Sequence, residues 1–365
     1  MKLVKMSLWL LASLSFLVSF SCKKDDNNVE PPDAVELADS VVADNLNFPW
    51  EMVWGSDNHI WMTERGGRIS RFNPATGQLS VVATIAEVVS NGEGGLLGMA
   101  LGPGNTVFVV YTYNKNGQYI EKLVRYTYSG SALTNPTVLL DDIPAANIHN
   151  GSRLVIDNGK LFMSTGDAAQ TSRAQNAGSP NGKILRLNPD GSIPADNPVP
   201  GNPYWSLGHR NPQGLVMANG KLYSSEHGPN NDDEINIIQK GRNYGWPEVE
   251  GYCNSNSEKS FCTSNDVAEP LQAWTPTIAA CGLDYYNSDH IPQWKGSLLL
   301  VALKNARLYQ LKLNEDLTSV AQTNEYFEGK YGRLRDICVS PQGRVYICSS
   351  NGGNNDKIIE IKRKP

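Results

Sequence analysis

Short apolar runs, separated by glycine, asparagine, aspartate and proline, recur along the chain from about residue 40 onward. The runs are rich in β-branched and aromatic residues, and the 3.6-residue spacing of an amphipathic helix is nearly absent. The pattern therefore predicts an all-β chain.

A longer unit repeats within this pattern: a turn, an apolar run with an aromatic residue, a loop, and a basic or polar strand. The copies lie at 59–74, 106–130, 160–191, 221–241, 297–313 and 344–363. Their spacing is that of four-stranded propeller blades, which predicts a six-bladed β-propeller with four-stranded antiparallel blades.

The remaining short strands indicate how the ring closes. Innermost strands precede copies at 50–58, 96–105, 153–159 and 335–343, and fourth strands follow copies at 79–85 and 136–143. The last copy ends at Arg363 without room for a fourth strand. We expect residues 39–46 to supply it, because pairing the two ends of the chain removes an open sheet edge. The predicted propeller domain spans residues 38–365.

The N-terminus has the features of an export signal. Lys2 and Lys5 precede an apolar run, residues 8–20, that is too short to span a bilayer. Cys22 follows this run as in a bacterial lipobox, although Phe20 departs from the usual small residue. We expect a signal peptide at 1–21, a lipidated Cys22 and a polar tether over 22–37, with an exported lipoprotein in the cell envelope as the result. A plain signal with an incidental cysteine is the alternative.

Export permits disulfides, and five cysteines follow Cys22. Cys253 and Cys262 flank a polar segment whose entropy a bridge would reduce, so this pair is favoured. Cys338 and Cys348 share a hairpin, and a turn at Gln342-Gly343 would place Cys338 opposite Ile347. That register sends Cys348 to the other face and predicts two buried thiols.

Composition limits the partners. The 365 residues are 40% hydrophobic and 19% charged, as in a globular protein. A net charge of -5 gives no overall attraction to nucleic acid or to an anionic membrane, so contact with a membrane is expected only through the lipid anchor. Any anion site must be a local cluster.

The unusual polar segments fall in loops that a propeller places on one face. Loops entering innermost strands are 91–95, 148–153, 208–214 and 332–336, and loops joining second to third strands are 63–67, 165–167, 226–234, 303–305 and 350–355. This face carries the candidate base His149, the carboxylates Glu93 and Asp167, and the cations Arg210, Lys304, Arg333 and Arg335. Four cations at one channel mouth need an anionic partner, and arginine recognises carboxylates in a bidentate manner. The alternatives are surface arginines paired with Asp336 and Glu64, and a structural histidine.

Several of these segments resemble the signatures of the pyrroloquinoline quinone (PQQ)-dependent soluble glucose dehydrogenases and aldose sugar dehydrogenases. The segments are IHNGSRLVIDNGKLFMSTGD (148–167), SLGHRNPQGL (206–215), SSEHGPNNDDEINIIQKGRNYGWPEVEGY (224–252) and GRLRDICVSPQGRVY (332–346). The resemblance runs in order from about residue 40 to the C-terminus.

The resemblance implies specific roles. His149 would be the general base that takes the proton of the sugar's anomeric hydroxyl, and Asp167 would orient it or bind the sugar. Arg210, flanked by Asn211, would stabilise the quinone oxygen that gains charge. Glu93, Lys304, Arg333 and Arg335 would line the cofactor site.

Calcium is the second implied cofactor. The carbonyls of Gly228 and Pro229 would hold one ion against the quinone, and Glu234 and Tyr244 lie near the family's second, structural ion. A solvated acidic turn is the alternative for residues 232–234.

Three departures concern substrate specificity and cofactor affinity. Glu93 stands where the family usually has glutamine, Ile148 where the glucose enzymes have aspartate, and Ala280-Cys281 where a Pro-Ser pair is usual.

The implied function is oxidation of an aldose sugar to its lactone, with an unknown electron acceptor. A non-enzymatic binding propeller would be expected to lose His149 or the arginines, and both are present. A calcium-dependent lactonase propeller needs carboxylates around a channel metal, which the basic channel argues against.

Overall fold

Six four-stranded antiparallel sheets make up residues 34–364, the part of the chain that this computed structural model describes. The first strand, β1 (Leu37–Leu46), belongs to the last blade. Blade 1 consists of β2 (Pro49–Trp54), β3 (Ile60–Glu64), β4 (Arg68–Asn73) and β5 (Gln78–Thr84). Blade 2 consists of β6 (Leu96–Gly102), β7 (Thr106–Lys115), β8 (Gln118–Tyr128) and β9 (Leu133–Pro144). Blade 3 consists of β10 (Gly151–Asp157), β11 (Lys160–Thr165), β12 (Lys183–Leu187) and β13 (Tyr204–Leu207).

The second half of the ring repeats this order. Blade 4 consists of β14 (Pro212–Ala218), β15 (Lys221–Glu226), β16 (Asp233–Ile238) and β17 (Gln272–Trp274). Blade 5 consists of β18 (Ala280–Tyr286), β19 (Ser297–Ala302), β20 (Arg307–Leu313) and β21 (Val320–Tyr326). Blade 6 consists of β22 (Leu334–Val339), β23 (Val345–Ser349), β24 (Asp356–Arg363) and β1. The predicted six-bladed propeller is confirmed.

Strand β1 closes the ring as predicted. It pairs antiparallel with β24, from Leu37 opposite Arg363 to Leu46 opposite Asp356. Leu46 is fully buried in a cluster that contains Met52 of blade 1 and Tyr346 of blade 6. The first and last blades therefore share one apolar core.

The core lies between neighbouring blades. One cluster joins Ile69 of blade 1 to Val109 of blade 2, and another joins Phe108 of blade 2 to Leu161 of blade 3. Because side chains of a strand alternate between its two faces, adjacent residues of β7 enter different cores. Side chains from both faces of a blade therefore pack against the neighbouring blades, and the loops at the strand ends carry the polar groups.

The structure contains one helix that the sequence analysis treated as a polar loop, α1 (Asn256–Asn265). Its N-cap Ser255 accepts a hydrogen bond from the backbone of Glu258, whose side chain bonds back to Ser255. The helix has no buried residues, so it carries no apolar periodicity to reveal it. The Ser-x-x-Glu spacing of a capping box was the available signal. No helix within residues 34–364 is both long and apolar enough to cross a membrane.

The cysteine predictions are confirmed in pairing and wrong in register. Cys253 and Cys262 form a disulfide, and Cys338 and Cys348 are free and buried. However, Cys338 lies opposite Tyr346, because a three-residue turn between Ser340 and Arg344 replaces the expected two-residue turn. Both thiols consequently enter the same core cluster.

The N-terminal expectations fall mostly outside the described residues. The signal peptide at 1–21, Cys22 and most of the tether over 22–37 lie there, so they stay predictions. The last residues assigned to the tether are bound to the propeller. The backbone N–H of Val35 donates to Gln293 Oε1 at 3.2 Å, and the Val35 carbonyl accepts from Gln293 Nε2 at 2.8 Å.

Candidate functional site

The polar loops occupy the positions predicted for them. Loops entering β6, β10, β14 and β22, and loops joining the second and third strands of the blades, lie at one end of the central channel. Contacts between blades confirm their proximity, since the Asp167 backbone N–H donates to the Arg210 carbonyl at 2.8 Å and the Glu93 backbone N–H donates to the Asn147 carbonyl at 2.7 Å.

His149 and Asp167 form a hydrogen-bonded pair at this end of the channel. His149 Nδ1 lies 2.9 Å from Asp167 Oδ1. Asp167 is fully buried, and its carboxylate also accepts from Trp246 Nε1 at 2.9 Å and from the Ala169 backbone at 2.8 Å. A carboxylate that accepts from Nδ1–H fixes the tautomer in which Nε2 carries the lone pair. The pair therefore presents an imidazole that is able to accept a proton at Nε2.

The loop that carries His149 is held in an unusual backbone conformation. His149 and Ser152 have φ of 60° and 75°, and Gly151 between them has φ of 68°. Left-handed conformations at non-glycine residues are costly and persist only where the surroundings enforce them. Here the Gly151 N–H donates to Asn211 Oδ1 at 3.1 Å, and the Asn150 side chain bonds the backbone of Ala146. The surroundings thus fix the position of the His149 ring.

Glu93 supports the same loop. Its Oε2 accepts from the His149 backbone N–H at 3.0 Å and lies 3.4 Å from Asn211 Nδ2. Asn211 is fully buried, so this polar group links blades 2, 3 and 4. The family's usual glutamine would offer one oxygen acceptor at this position, whereas Glu93 brings a negative charge near Arg210 and Arg333.

Arg210 extends beside the histidine loop. Its Nη1 donates to the His227 carbonyl at 3.1 Å, and its guanidinium lies 5.2 Å from the centre of the Trp246 ring. Burial lowers the pKa of Arg210, while the negative charges of Asp167 and Glu226 oppose that effect. Arg210 and Asp167 are thus brought to the same side of the channel.

The other predicted cations lie at two depths. Arg335 is 5% exposed and its Nη1 donates to Gln213 Oε1 at 2.5 Å and to the Cys281 sulfur at 3.1 Å. Arg333 and Lys304 are exposed at the rim, where Lys304 Nζ donates to Thr277 Oγ1 at 3.2 Å. Partial burial lowers the pKa of Arg333, and the charge of Arg335 lowers it further.

The alternative pairing of channel arginines with Asp336 and Glu64 is wrong. Asp336 pairs with Arg153 at 2.8 Å, and Glu64 pairs with Arg68. The four predicted channel cations therefore do not pair with either of these carboxylates.

Sequence reasoning missed a further cation, Arg65. It lies 4.7 Å above the Phe48 ring and donates to the Gly92 carbonyl. Burial and the nearby Arg335 lower the pKa of Arg65, and Glu93 opposes them. The signal was present, because Arg65 lies in the loop 63–67 that had been placed on the polar face.

Cys281, already noted as a departure from the family pattern, lies against Arg335, a contact that the sequence did not predict. Burial raises the pKa of Cys281, but the charges of Arg335 and His227 outweigh it and leave the pKa below its ordinary value. The Ala280-Cys281 departure from the family pattern therefore lies against Arg335, in the cationic part of the channel.

Arg153 closes the channel beneath the site. Its guanidinium donates to Glu51 at 2.7 Å, to Asp336 at 2.8 Å and to the Gln213 carbonyl at 2.6 Å, and lies 4.1 Å from the centre of the Trp50 ring. These groups come from the innermost strands of blades 1, 3, 4 and 6. The site is therefore a pocket that opens on the polar face.

The four predicted calcium-site residues, which the resemblance divides between two ions, line one small cavity next to Arg210. The cavity has a volume of about 20 Å³, enough for one ion or water. Its lining includes Gly228, Pro229, Glu226, Glu234 and Tyr244. Burial and the nearby Glu226 raise the pKa of Glu234 to about 8. Among residues 34–364, no group of three or more His, Cys, Asp or Glu side chains is arranged as a metal site.

Comparison with known proteins adds a family and several relatives. The family model described as glucose/sorbosone dehydrogenase matches residues 46–360. The quinoprotein glucose dehydrogenase B of Acinetobacter calcoaceticus is 32% identical, over 87% of this chain and 86% of its own length. The aldose sugar dehydrogenase YliI of Escherichia coli is 31% identical, over 84% of this chain and 88% of its own length.

Solved structures give the same picture. The PQQ-bound aldose sugar dehydrogenase of Streptomyces coelicolor superposes with a TM-score of 0.77 at 31% identity, covering 90% of this chain and 99% of that chain.

Proposed function

Since the chain belongs to the glucose/sorbosone dehydrogenase family, we propose that it is a PQQ- and calcium-dependent enzyme that oxidises an aldose sugar at the anomeric carbon to its lactone. The His149–Asp167 pair at the mouth of a cation-lined pocket is the observation that carries this proposal. Relatives with the words quinoprotein and PQQ-bound in their names support the choice of cofactor.

The pocket fits an anionic cofactor. Arg65, Arg210 and Arg335 each have a buried Nε with no acceptor within residues 34–364. Buried donors without partners are costly, and the three carboxylates of PQQ are acceptors of the right charge. Arg335 at the base and Arg333 and Lys304 at the rim would hold those carboxylates, with Asn211 and Glu93 beside Arg210. PQQ, when bound, supplies the quinone that accepts the hydride.

The small cavity fits a hard cation. Burial and the negative charge of Glu226 raise the pKa of Glu234, and a bound cation would favour the ionised form of Glu234 instead. The carbonyls of Gly228 and Pro229 add oxygen ligands, which calcium prefers. The Tyr244 hydroxyl already accepts from the Gln239 N–H and donates to the Ile237 carbonyl. The backbone carbonyl of Tyr244 is therefore the ligand that this residue would offer.

The protein supplies the base for the reaction. His149 Nε2 accepts the proton of the anomeric hydroxyl as the hydride leaves the anomeric carbon. Asp167 stabilises the imidazolium that results and keeps Nδ1–H directed toward itself. Arg210 places positive charge where the acceptor becomes negative, a preorganised electrostatic contribution.

Reconstitution tests the proposal directly. Apo-protein is incubated with PQQ and calcium, with magnesium or EGTA as controls, and dye reduction is followed across a panel of aldoses. We expect activity only with PQQ and calcium together and formation of an aldonolactone. Dye reduction without PQQ, or none with any aldose despite bound PQQ, would overturn it.

His149→Gln tests the base. Loss of a general base typically costs about 10² to 10⁴-fold in rate, so turnover should fall by that much while PQQ still binds. His59→Gln is the matched control, because His59 lies in a turn of blade 1 and its ring contacts the backbone and side chain of Asp57, away from the site. Wild-type turnover of His149→Gln with bound PQQ would reject the assignment.

We also propose that the protein is an exported lipoprotein anchored through Cys22. The signal-like residues 1–21 and the polar segment after them support this. Intact mass of protein extracted from the cell envelope should exceed that of the bare chain beginning at Cys22 by acyl groups. An unmodified Cys22 would contradict it.

A further inference from the structure

Lys183 is a buried cation that the proposed mechanism does not use. It is the first residue of β12 and is fully buried. Its ammonium donates to the carbonyls of Arg173 and Ala174 at 2.9 Å each and of Asn181 at 2.8 Å. The three N–H donors of the ammonium therefore have three carbonyl acceptors.

This arrangement resembles a cation site whose ion is attached to the chain. All three acceptors belong to the segment between β11 and β12, residues 166–182, which folds around the ammonium. Burial lowers the pKa of Lys183, and the pKa shift has no contribution from a neighbouring charge. Hydrogen bonds to the carbonyls favour the charged form and oppose burial. The segment therefore stabilises the buried ammonium, and the ammonium stabilises the fold of the segment.

The same segment begins with the turn that carries Asp167. Ala168 and Ala169 follow with φ of 50° and 58°, left-handed values that alanine rarely adopts. The Ala168 N–H donates to the His149 carbonyl at 3.0 Å. The approach is close, since a Cβ added at Gly166 would lie 2.0 Å from the His149 carbonyl oxygen.

The turn needs support on its far side. The Gln170 N–H donates to the Asp167 carbonyl at 3.1 Å, and a 3-10 turn over Thr171–Arg173 leads directly to the carbonyls bound by Lys183. A strained turn persists only if its surroundings over-determine it. Lys183 binds the carbonyls at the end of this 3-10 turn and just before β12, the two parts of the segment that follow the Asp167 turn.

We propose that Lys183 is a positioning residue: its ammonium takes the place of a bound ion in the 166–182 segment, and so keeps Asp167 in the geometry that orients His149. The inference rests on the proposed function of the His149–Asp167 pair. Its structural part, the support of the segment by the ammonium, is tested without substrate or cofactor.

Proteolysis tests the structural part on apo-protein. Arg173 lies inside the segment, and the buried Ala174 after it is bound through its carbonyl to both Lys183 and Gly208. In Lys183→Met the bond between Arg173 and Ala174 should become sensitive to trypsin, as measured by mass spectrometry. Lys160→Met is the matched control, because Lys160 begins the neighbouring strand β11 and its ammonium donates to Asn188 Oδ1 at 2.6 Å, outside the 166–182 segment.

Chemical rescue tests the ion-like role. Lys183→Ala removes the ammonium donor from all three carbonyls, and added ammonium or methylammonium should restore protection of Arg173. Tetramethylammonium, which has no N–H donor, should not. If Lys183→Ala or Lys183→Met does not fold, Lys183→Gln replaces it in the proteolysis experiment, because the glutamine amide keeps N–H donors.

Kinetics of the PQQ-loaded protein test the link to His149. A misplacement of about 1 Å can cost about 100-fold in rate. Lys183→Met should therefore lower kcat by about ten- to 100-fold, with little change in KM or PQQ affinity. A folded Lys183→Met that keeps both protection of Arg173 and wild-type kcat would overturn the proposal, as would equal rescue by all three cations. Failure of wild-type protein to oxidise any aldose would reject the proposed function and leave the proteolysis result valid.

Discussion

Individual side chains at the channel mouth divide into those that hold an anion and those that hold His149. Within residues 34–364, Arg333 and Lys304 are exposed and make no hydrogen bond to His149, Asp167 or Arg210, whereas Glu93 and Asn211 are hydrogen-bonded to the histidine loop. Substitution of a rim cation should therefore change cofactor affinity and leave the proton transfer intact.

Arg333→Ala and Lys304→Ala should each weaken PQQ binding by about ten-fold or more, because a hydrogen bond to a charged group contributes about 1.5 to 3 kcal/mol. Titration of apo-protein with PQQ, followed by fluorescence quenching, measures the affinity. Lys295→Ala is the control, since Lys295 pairs with Asp289 away from the channel mouth. Unchanged binding curves for both rim variants would refute the placement of the cofactor carboxylates.

In the described part of the chain, Glu121 is a buried acid whose hydrogen-bond partners are the hydroxyls of Ser152 and Thr112 and not a cation. It is fully buried and accepts from Ser152 Oγ at 2.9 Å, directly behind the histidine loop. Burial raises the pKa of Glu121 from 4.5 to about 8, which the hydrogen bonds from Ser152 and Thr112 only partly offset. The folded protein thus keeps a proton that the unfolded chain loses above pH 4.5.

Glu121 should therefore make stability fall as pH rises from 4.5 to about 8. Glutamine cannot ionise, so the stability of Glu121→Gln relative to wild type should increase across this range. Urea unfolding at pH 4, 6 and 8 measures the difference, with the exposed Glu315→Gln as control. A difference between Glu121→Gln and wild type that is independent of pH would contradict it.

Sequence identified residue types in the site more readily than their roles. His149 and Asp167 come from neighbouring strands of one blade, so loop placement alone predicted that they lie on the same face. Glu93 was assigned to the cofactor, and its bond to the His149 backbone depends on how two blades meet. Periodicity within one blade carries no information on that contact.

At the scale of elements, strand patterns were predictable and turn lengths were not. Fourth strands at β5 and β9 followed from their apolar runs. The hairpin of Cys338 has a Pro-Gln-Gly turn that is compatible with two or three loop residues, and the choice shifts the register by one. Helix α1 has no buried face, so the disulfide is its main support besides its cap.

Removal of this disulfide should release α1 while the propeller stays folded. In the double variant Cys253→Ser, Cys262→Ser, loss of the short closed loop should lower the free energy of unfolding by about 2 to 3 kcal/mol. Lys259, within the helix, should become the fastest tryptic site. Mass spectrometry of timed digests measures this, with the oxidised wild type as control. Equal cleavage rates at Lys259 would show that the helix does not depend on the bridge.

At the scale of the whole molecule, two devices join blades that are distant in sequence. Arg153 ties the innermost strands of four blades across the channel. Strand β1 joins the N-terminus to the C-terminal blade at the outer rim. The repeat and the missing fourth strand predicted the second device, because sheet edges must be paired. The first depends on side chains that converge at the channel centre, and the sequence gives no spacing from which to predict it.

Ring closure by β1 gives the last prediction. A chain beginning at Asn47 lacks the partner of β24 and exposes the apolar core around Met52 that Leu46 covers. We expect it to aggregate or to unfold at a markedly lower temperature than a control chain beginning at Ala34. A peptide of residues 34–46 added in trans should restore the melting temperature, because an extended segment can pair with an open sheet edge. Differential scanning calorimetry and light scattering measure both effects. Equal melting temperatures for the two chains would show that the ring does not depend on β1 for its stability.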